Sequence, residues 1–180
     1  MEGDPLRVLV IGSGAAVRDE LAMINRADFD TVIGVNRAAI EFGPVDIHCS
    51  LHPRDFAPIK AAYMVSHADY RGVDEIFDCL WRVGGTSGSS GLYAVKYALE
   101  RLGADHVVLA GVGMDEGPHF YNPSKWHQAT RFQREWVHVL PKLRGKVISL
   151  GGWTAELLNG GQPLNRRATG DISAACRGGF

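Results

Sequence analysis

Four segments of this chain bring together residue types whose chemistry suits a bound ligand. The first is Gly12-Ser13-Gly14, which follows an apolar run and precedes a helical pattern. Glycines there let the backbone approach a phosphate, and the amides that open a helix carry partial positive charge. Val17 stands where the third glycine of a dinucleotide fingerprint would be. The acid expected about 20 residues further on is also missing, so an NAD site is disfavoured. The second segment, Asn36-Arg37, holds that place. An amide both donates and accepts, so Asn36 can read a base or ribose, and Arg37 suits a phosphate. The plainer readings are a turn asparagine and a solvated arginine.

The third segment, GGTSGSSG at 84–91, has four glycines and four hydroxyl residues ahead of another helical pattern. Thr86, Ser87, Ser89, Ser90 and the amide of Gly91 suit a carboxylate or phosphate. No Gly-Lys-Ser/Thr follows, so this is not a Walker A loop. A flexible linker with a capping serine is the competing reading. The fourth segment, 111–127, holds Asp115, His119, Tyr121 and His127. Histidine is the commonest general acid or base near neutral pH, and Asp115 suits a sugar hydroxyl or a metal. These four are equally well read as ordinary polar loop residues. His48 and His52 lack a third partner at recognisable spacing, so no metal site is expected. Trp81, Trp126, Trp136 and Trp153 are assigned to the core.

These segments need a scaffold that brings them to one place. Short apolar runs at 7–11, 31–35, 45–50, 63–66, 80–83, 106–110 and 146–150 read as buried strands. Helical spacing marks 17–25, 55–61, 92–102 and 126–140, with Gly103 as a C-cap and Pro141 at the last helix's end. Alternating strands and helices predict an α/β fold: a three-layer Rossmann-like domain, its sheet mostly parallel and covered by helices on both faces. In such sheets ligands bind outside the carboxyl ends of the strands, where all four segments fall. Residues 1–158 then form a single nucleotide-binding domain, and 159–180 a polar, Gly-rich tail.

Composition agrees with one ordinary globular domain. The chain has 180 residues, 46% of them hydrophobic, with 19 basic against 20 acidic side chains and a net charge of −1. That balance gives no signal for nucleic-acid binding. Cys49, Cys79 and Cys176 are too few and too scattered for a disulfide framework, so free thiols in the cytoplasm are expected. The acidic start lacks the features of a signal peptide, and no apolar run approaches the ~18 residues of a membrane span.

On the motifs just quoted, the sequence resembles the small bacterial sialyltransferases that use CMP-sialic acid and the wider group sharing their nucleotide-binding half. Val8-Leu9-Val10-Ile11-Gly12-Ser13-Gly14 resembles that family's opening strand and turn. Gly34-Val35-Asn36-Arg37 resembles its second strand, and Ser89-Ser90-Gly91-Leu92-Tyr93 with His106-Val107-Val108-Leu109-Ala110-Gly111 its Ser-Gly helix start and following strand. The resemblance implies a Rossmann-like glycosyltransferase that requires no cofactor. It implies Asn36 against the cytidine, Ser90 at the sugar or phosphate end, Tyr121 near the phosphate, and His127 or His119 as the base. Gly113 stands where the family has an aspartate, Asp115 follows two residues later, and the lid is shorter. Two other readings compete. One is a pterin pyrophosphokinase-like enzyme using ATP and Mg²⁺, with Asp115 or Asp46 toward the metal. The other is a non-catalytic nucleotide-binding module. A chain this short leaves the cleft open unless a second copy helps to close it, which leaves a homo-oligomer in view.

Overall fold

The computed structural model describes residues 4–55, 62–81 and 85–160. Its centre is the run β1 (Arg7–Ile11), which is buried from Val8 onward. Hydrogen-bonded outward from it on one side lie β2 (Thr31–Val35), β3 (Ile47–Cys49), β4 (Tyr63–Ser66) and the two-residue β5 (Glu75–Ile76). On the other side lie β6 (His106–Ala110) and β7 (Val147–Ser149). The order is β5-β4-β3-β2-β1-β6-β7, and each of these strands runs parallel to its neighbours. This is an α/β Rossmann-like fold.

Strand alternation sorts the core into two faces. Val8, Val10, Ile33, Val35, Val107 and Leu109 pack on one side with α3 (Ser90–Lys96), α4 (Ala129–Leu143) and α5 (Gly152–Leu158). Leu9, Ile11, Val32, Val108 and Ala110 pack on the other with α1 (Val17–Leu21) and α2 (Arg37–Glu41). Helices therefore cover both faces. α3 is buried along its whole length and carries on through a wider helical turn, Tyr97–Arg101. Gly103 then takes φ +73° while Ala104 N donates to Ala98 O, which is the expected glycine C-cap. No helix of the described residues is long and apolar enough to cross a membrane.

Several boundaries differ from the sequence pattern. The helix expected over 17–25 stops at Leu21. Asn25 takes the amide of Ala27 with its side chain, which competes with helix continuation and starts a short 3₁₀ turn, Arg26–Asp28. The helix expected over 126–140 begins at Ala129 and runs through Pro141 to Leu143. Pro141 lies in the last turn, where it interrupts one i→i−4 hydrogen bond, and the helix ends two residues later. Leu80 forms a single bridge with Thr86 rather than a sheet strand, and 82–84 lie outside the described residues. So do 56–61, most of the helix expected at 55–61, and 161–180 of the expected tail. Asn159, placed at the start of that tail, is instead tied down. Its Oδ1 accepts from Ser149 N at 3.2 Å and its Nδ2 donates to Ser149 O at 2.8 Å. β5 and α5 were not legible in the pattern.

Candidate functional site

The chain leaves β1 toward one edge of the sheet and returns to β6 on the other side of β1. That reversal opens a crevice at the carboxyl ends of the two strands. A cavity of about 420 Å³ lies there.

Two glycine turns meet beneath it. Gly12 N donates to Ala110 O at 2.7 Å, and Gly14 N to Gly111 O at 2.8 Å. A side chain on Gly12 would run into Gly111 O, and one on Gly111 would meet Gly12 O at 2.6 Å. Gly111 also has φ +69°, a region open chiefly to glycine. These glycines are thus explained by close backbone contact. Their amides are engaged within the protein, so a phosphate would have to use other donors of the turn.

At the end of β2, Asn36 adopts φ 51°, ψ −127°, uncommon for a residue with a Cβ. Its Oδ1 is buried and has no hydrogen-bond partner. Asn36 lines the cavity. At the start of α3, Ser89 Oγ accepts from Leu92 N and caps the helix, while Ser90 Oγ accepts from Leu51 N, both at 3.3 Å. Gly91 lets the helix approach Val112, whose Cγ1 would lie 2.7 Å from an added Cβ.

The 111–128 segment forms the remaining wall. His119 Nδ1 lies 3.2 Å from Ser13 O. A carbonyl only accepts, so Nδ1 carries the hydrogen and Nε2 keeps its lone pair. Burial holds the imidazole below its usual range, and the Ser13 carbonyl opposes this in part. Tyr121 stacks on His119 with centroids 5.3 Å apart and planes 9° apart. Arg37 lies over the Tyr121 ring, 5.0 Å from its centroid. Trp126 stands 5.5 Å from His119 and stacks on Phe132 at 5.5 Å, which extends the aromatic wall.

Glu20, on α1, closes the floor. It is only 6% exposed, yet lines the cavity. Its Oε2 accepts from Gly111 N at 2.6 Å. Burial raises its pKa above the ordinary carboxylate range; the Gly111 hydrogen bond opposes the shift, and Asp115 and Asp19 add to it. Asp115 Oδ1 accepts from Trp153 N at 3.0 Å at the start of α5.

Of the residues singled out from the sequence, Gly12, Ser13, Gly14, Asn36, Ser89, Ser90, Gly91, Asp115, His119 and Tyr121 share the cavity wall. Arg37, Thr86, Ser87 and His127 are not among its lining residues. Ser87 is fully buried, with its hydroxyl on Cys79 O. Thr86 is exposed, and its amide donates to Glu135 at 3.2 Å. His127 is exposed in the turn before α4. Trp81 and Trp136 are core, as expected; Trp126 instead lines the cavity, and Trp153 is half-buried against the core. His48 is fully buried on β3, where burial lowers its pKa, and His52 is an exposed lining residue. Glu20, Gln128 and Phe132 were missed. A signal for Glu20 existed: it sits three residues after Val17, on the buried face of its helix.

The wall has one chemical peculiarity. Among the described residues it contains three carboxylates, Glu20, Asp55 and Asp115, and neither a lysine nor an arginine. No group of three or more His, Cys, Asp or Glu among the described residues is arranged to hold a metal. No protein-family model, curated protein or solved structure matches this chain.

Proposed function

We propose that the cavity binds a nucleotide sugar of the CMP-sugar kind and that the protein is a glycosyltransferase-like transferase. The observation that carries this reading is a convergence. The β1 turn, Asn36, the start of α3 and His119 all line one cavity at the switch point of a parallel sheet. Asn36 lines the wall, and its Oδ1, buried and without a partner, would have to turn into the cavity to meet a base or ribose donor. A phosphodiester carries one charge, which suits a wall without lysine or arginine better than a triphosphate does.

In this reading His119 is the base. With Nδ1–H held by Ser13 O, Nε2 takes the proton of the acceptor hydroxyl. That oxygen bonds to the anomeric carbon while the bond from this carbon to the phosphate oxygen breaks. The electron pair leaves with the nucleoside monophosphate. Tyr121, on the wall, stands beside the developing charge, and Arg37 packs over its ring without reaching the wall. His127, exposed and off the wall, has no part in this step.

The wall carboxylates favour a second reading, in which phosphate arrives with Mg²⁺ as in a pterin pyrophosphokinase-like ATP enzyme. The residues present do not form a metal site of their own. Each of Asp46 and Asp115 accepts one backbone amide, but only Asp115 lines the cavity, which makes it the candidate of the two.

A thermal-shift panel of CMP, CDP, UDP, ADP, ATP and GTP, each with and without Mg²⁺, separates the readings. Stabilisation by CMP or CDP without metal is the expected result and leads to turnover assays with CMP-sugars. A shift seen only with ATP and Mg²⁺ transfers the assignment to the second reading. No shift with any nucleotide removes both. A shift without turnover of any donor leaves a binding module.

A further inference from the structure

Glu20 combines three properties that a structural carboxylate does not need together. It is almost wholly buried, it belongs to the cavity wall, and it has no basic partner among the described residues. One oxygen, Oε2, is taken by Gly111 N at 2.6 Å. Oε1 is left without a hydrogen-bond partner and packs against Gly151, where any Cβ would collide with it. A ligand donor that replaces solvent at this oxygen keeps the largely buried carboxyl hydrogen-bonded. The charged and titratable groups around it are Asp19 on its own helix, Asp115 from the β6–α4 loop, and Asp55, His52 and His119 elsewhere in the wall. Negative charge therefore prevails at this end of the cavity.

We propose that Glu20 determines specificity in the cleft: its open oxygen takes a hydrogen-bond donor of the ligand, a sugar hydroxyl or amine, and the carboxylate bars additional phosphate. This rests on the cavity being the nucleotide site. It adds a selection rule to that reading, namely preference for one phosphate over several in the absence of divalent metal. The raised pKa fits, because a carboxyl that repels anions when charged admits them more readily when protonated.

The test compares the wild-type chain with Glu20→Gln, which keeps an acceptor for Gly111 N. Affinities for CMP, CDP, CTP and inorganic pyrophosphate are measured by calorimetry in EDTA, at neutral pH and near pH 5. Melting curves confirm that both proteins are folded. In the wild type, CMP should bind more tightly than CTP by about tenfold or more, as expected for like charges in a partly dry site. In Glu20→Gln that gap should shrink several-fold. Acidification should narrow the gap further in the wild type than in the variant. An equal gap in both proteins at both pH values overturns the proposal. If the wild type binds no nucleotide, the nucleotide reading falls, and Glu20 is judged on the variant. Pyrophosphate or CTP binding gained by Glu20→Gln supports the barrier, and no gain overturns it.

Discussion

The carboxylate of Glu20 accepts the amide of Gly111 at 2.6 Å, across 91 residues of sequence. This bond joins α1 to the turn after β6 and pins the two sides of the switch point. It also sets an acidic group at the base of a cavity lined by backbone and aromatic rings. The first prediction concerns its titration. Because the folded-state pKa is raised, the folded chain holds this proton more tightly than the unfolded chain. The associated stability is present below the unfolded value near 4.5 and is lost as pH rises through the folded value. Glu20→Gln has no such loss. Melting temperatures measured from pH 4.5 upward should show the variant gaining on the wild type and then levelling; a constant difference refutes the assignment.

Gly111→Ala should damage folding more than chemistry. The new Cβ meets Gly12 O at 2.6 Å and Val17 Cβ at 2.7 Å, at φ +69°. Left-handed backbone and overpacking together predict a loss of about 2–4 kcal/mol. Urea denaturation measures it, and a loss under about 1 kcal/mol would mean that the two turns separate easily.

Asn36→Gly should pull stability and binding apart. Glycine relieves the positive φ and removes a buried oxygen without a partner, which predicts a gain of about 1 kcal/mol. The same change removes the group offered to the base or ribose, so nucleotide affinity should fall about tenfold or more. Parallel denaturation and calorimetry decide it. Unchanged affinity would make Asn36 a turn residue only.

His119 and His127 are separable by kinetics once a donor is found. Burial favours neutral His119, so the acid limb of kcat/KM should lie below the usual imidazole range, with activity rising as pH rises through it. His119→Asn should lower kcat by about a hundredfold or more and abolish that limb. His127→Ala should leave both kcat and the profile in place. The reverse pattern would transfer the base to His127.

Much of the scaffold was readable because buried parallel strands are continuous apolar runs. β1, β2, β4 and β6 fall where 7–11, 31–35, 63–66 and 106–110 placed them. β5 has two residues, too few for any periodicity, and its place at the edge depends on Glu75, which bonds Tyr97 and Arg101 at 2.9 and 2.7 Å. α5 begins at a double glycine that reads as loop; its first turn is supported by Asp115, distant in sequence. His119 and Tyr121 carried a signal in their side-chain chemistry. Glu20 was passed over because an acid in a first helical turn is normally solvated.

The sequence by itself determined the layered α/β order, the glycine breaks at strand ends and the set of polar residues beyond them. These are local properties, written in hydrophobic period and backbone freedom. Only the tertiary structure decided which of those residues meet. Strand order placed β6 beside β1, so the turn at Gly111 engages the amides of Gly12 and Gly14 that local reasoning had offered to a phosphate. The same adjacency buried Glu20 at the cavity floor through its bond to Gly111, while packing elsewhere left Ser87 inside, on Cys79, and His127 outside. Such outcomes depend on contacts between segments far apart in the chain, and no local pattern encodes a partner's distance.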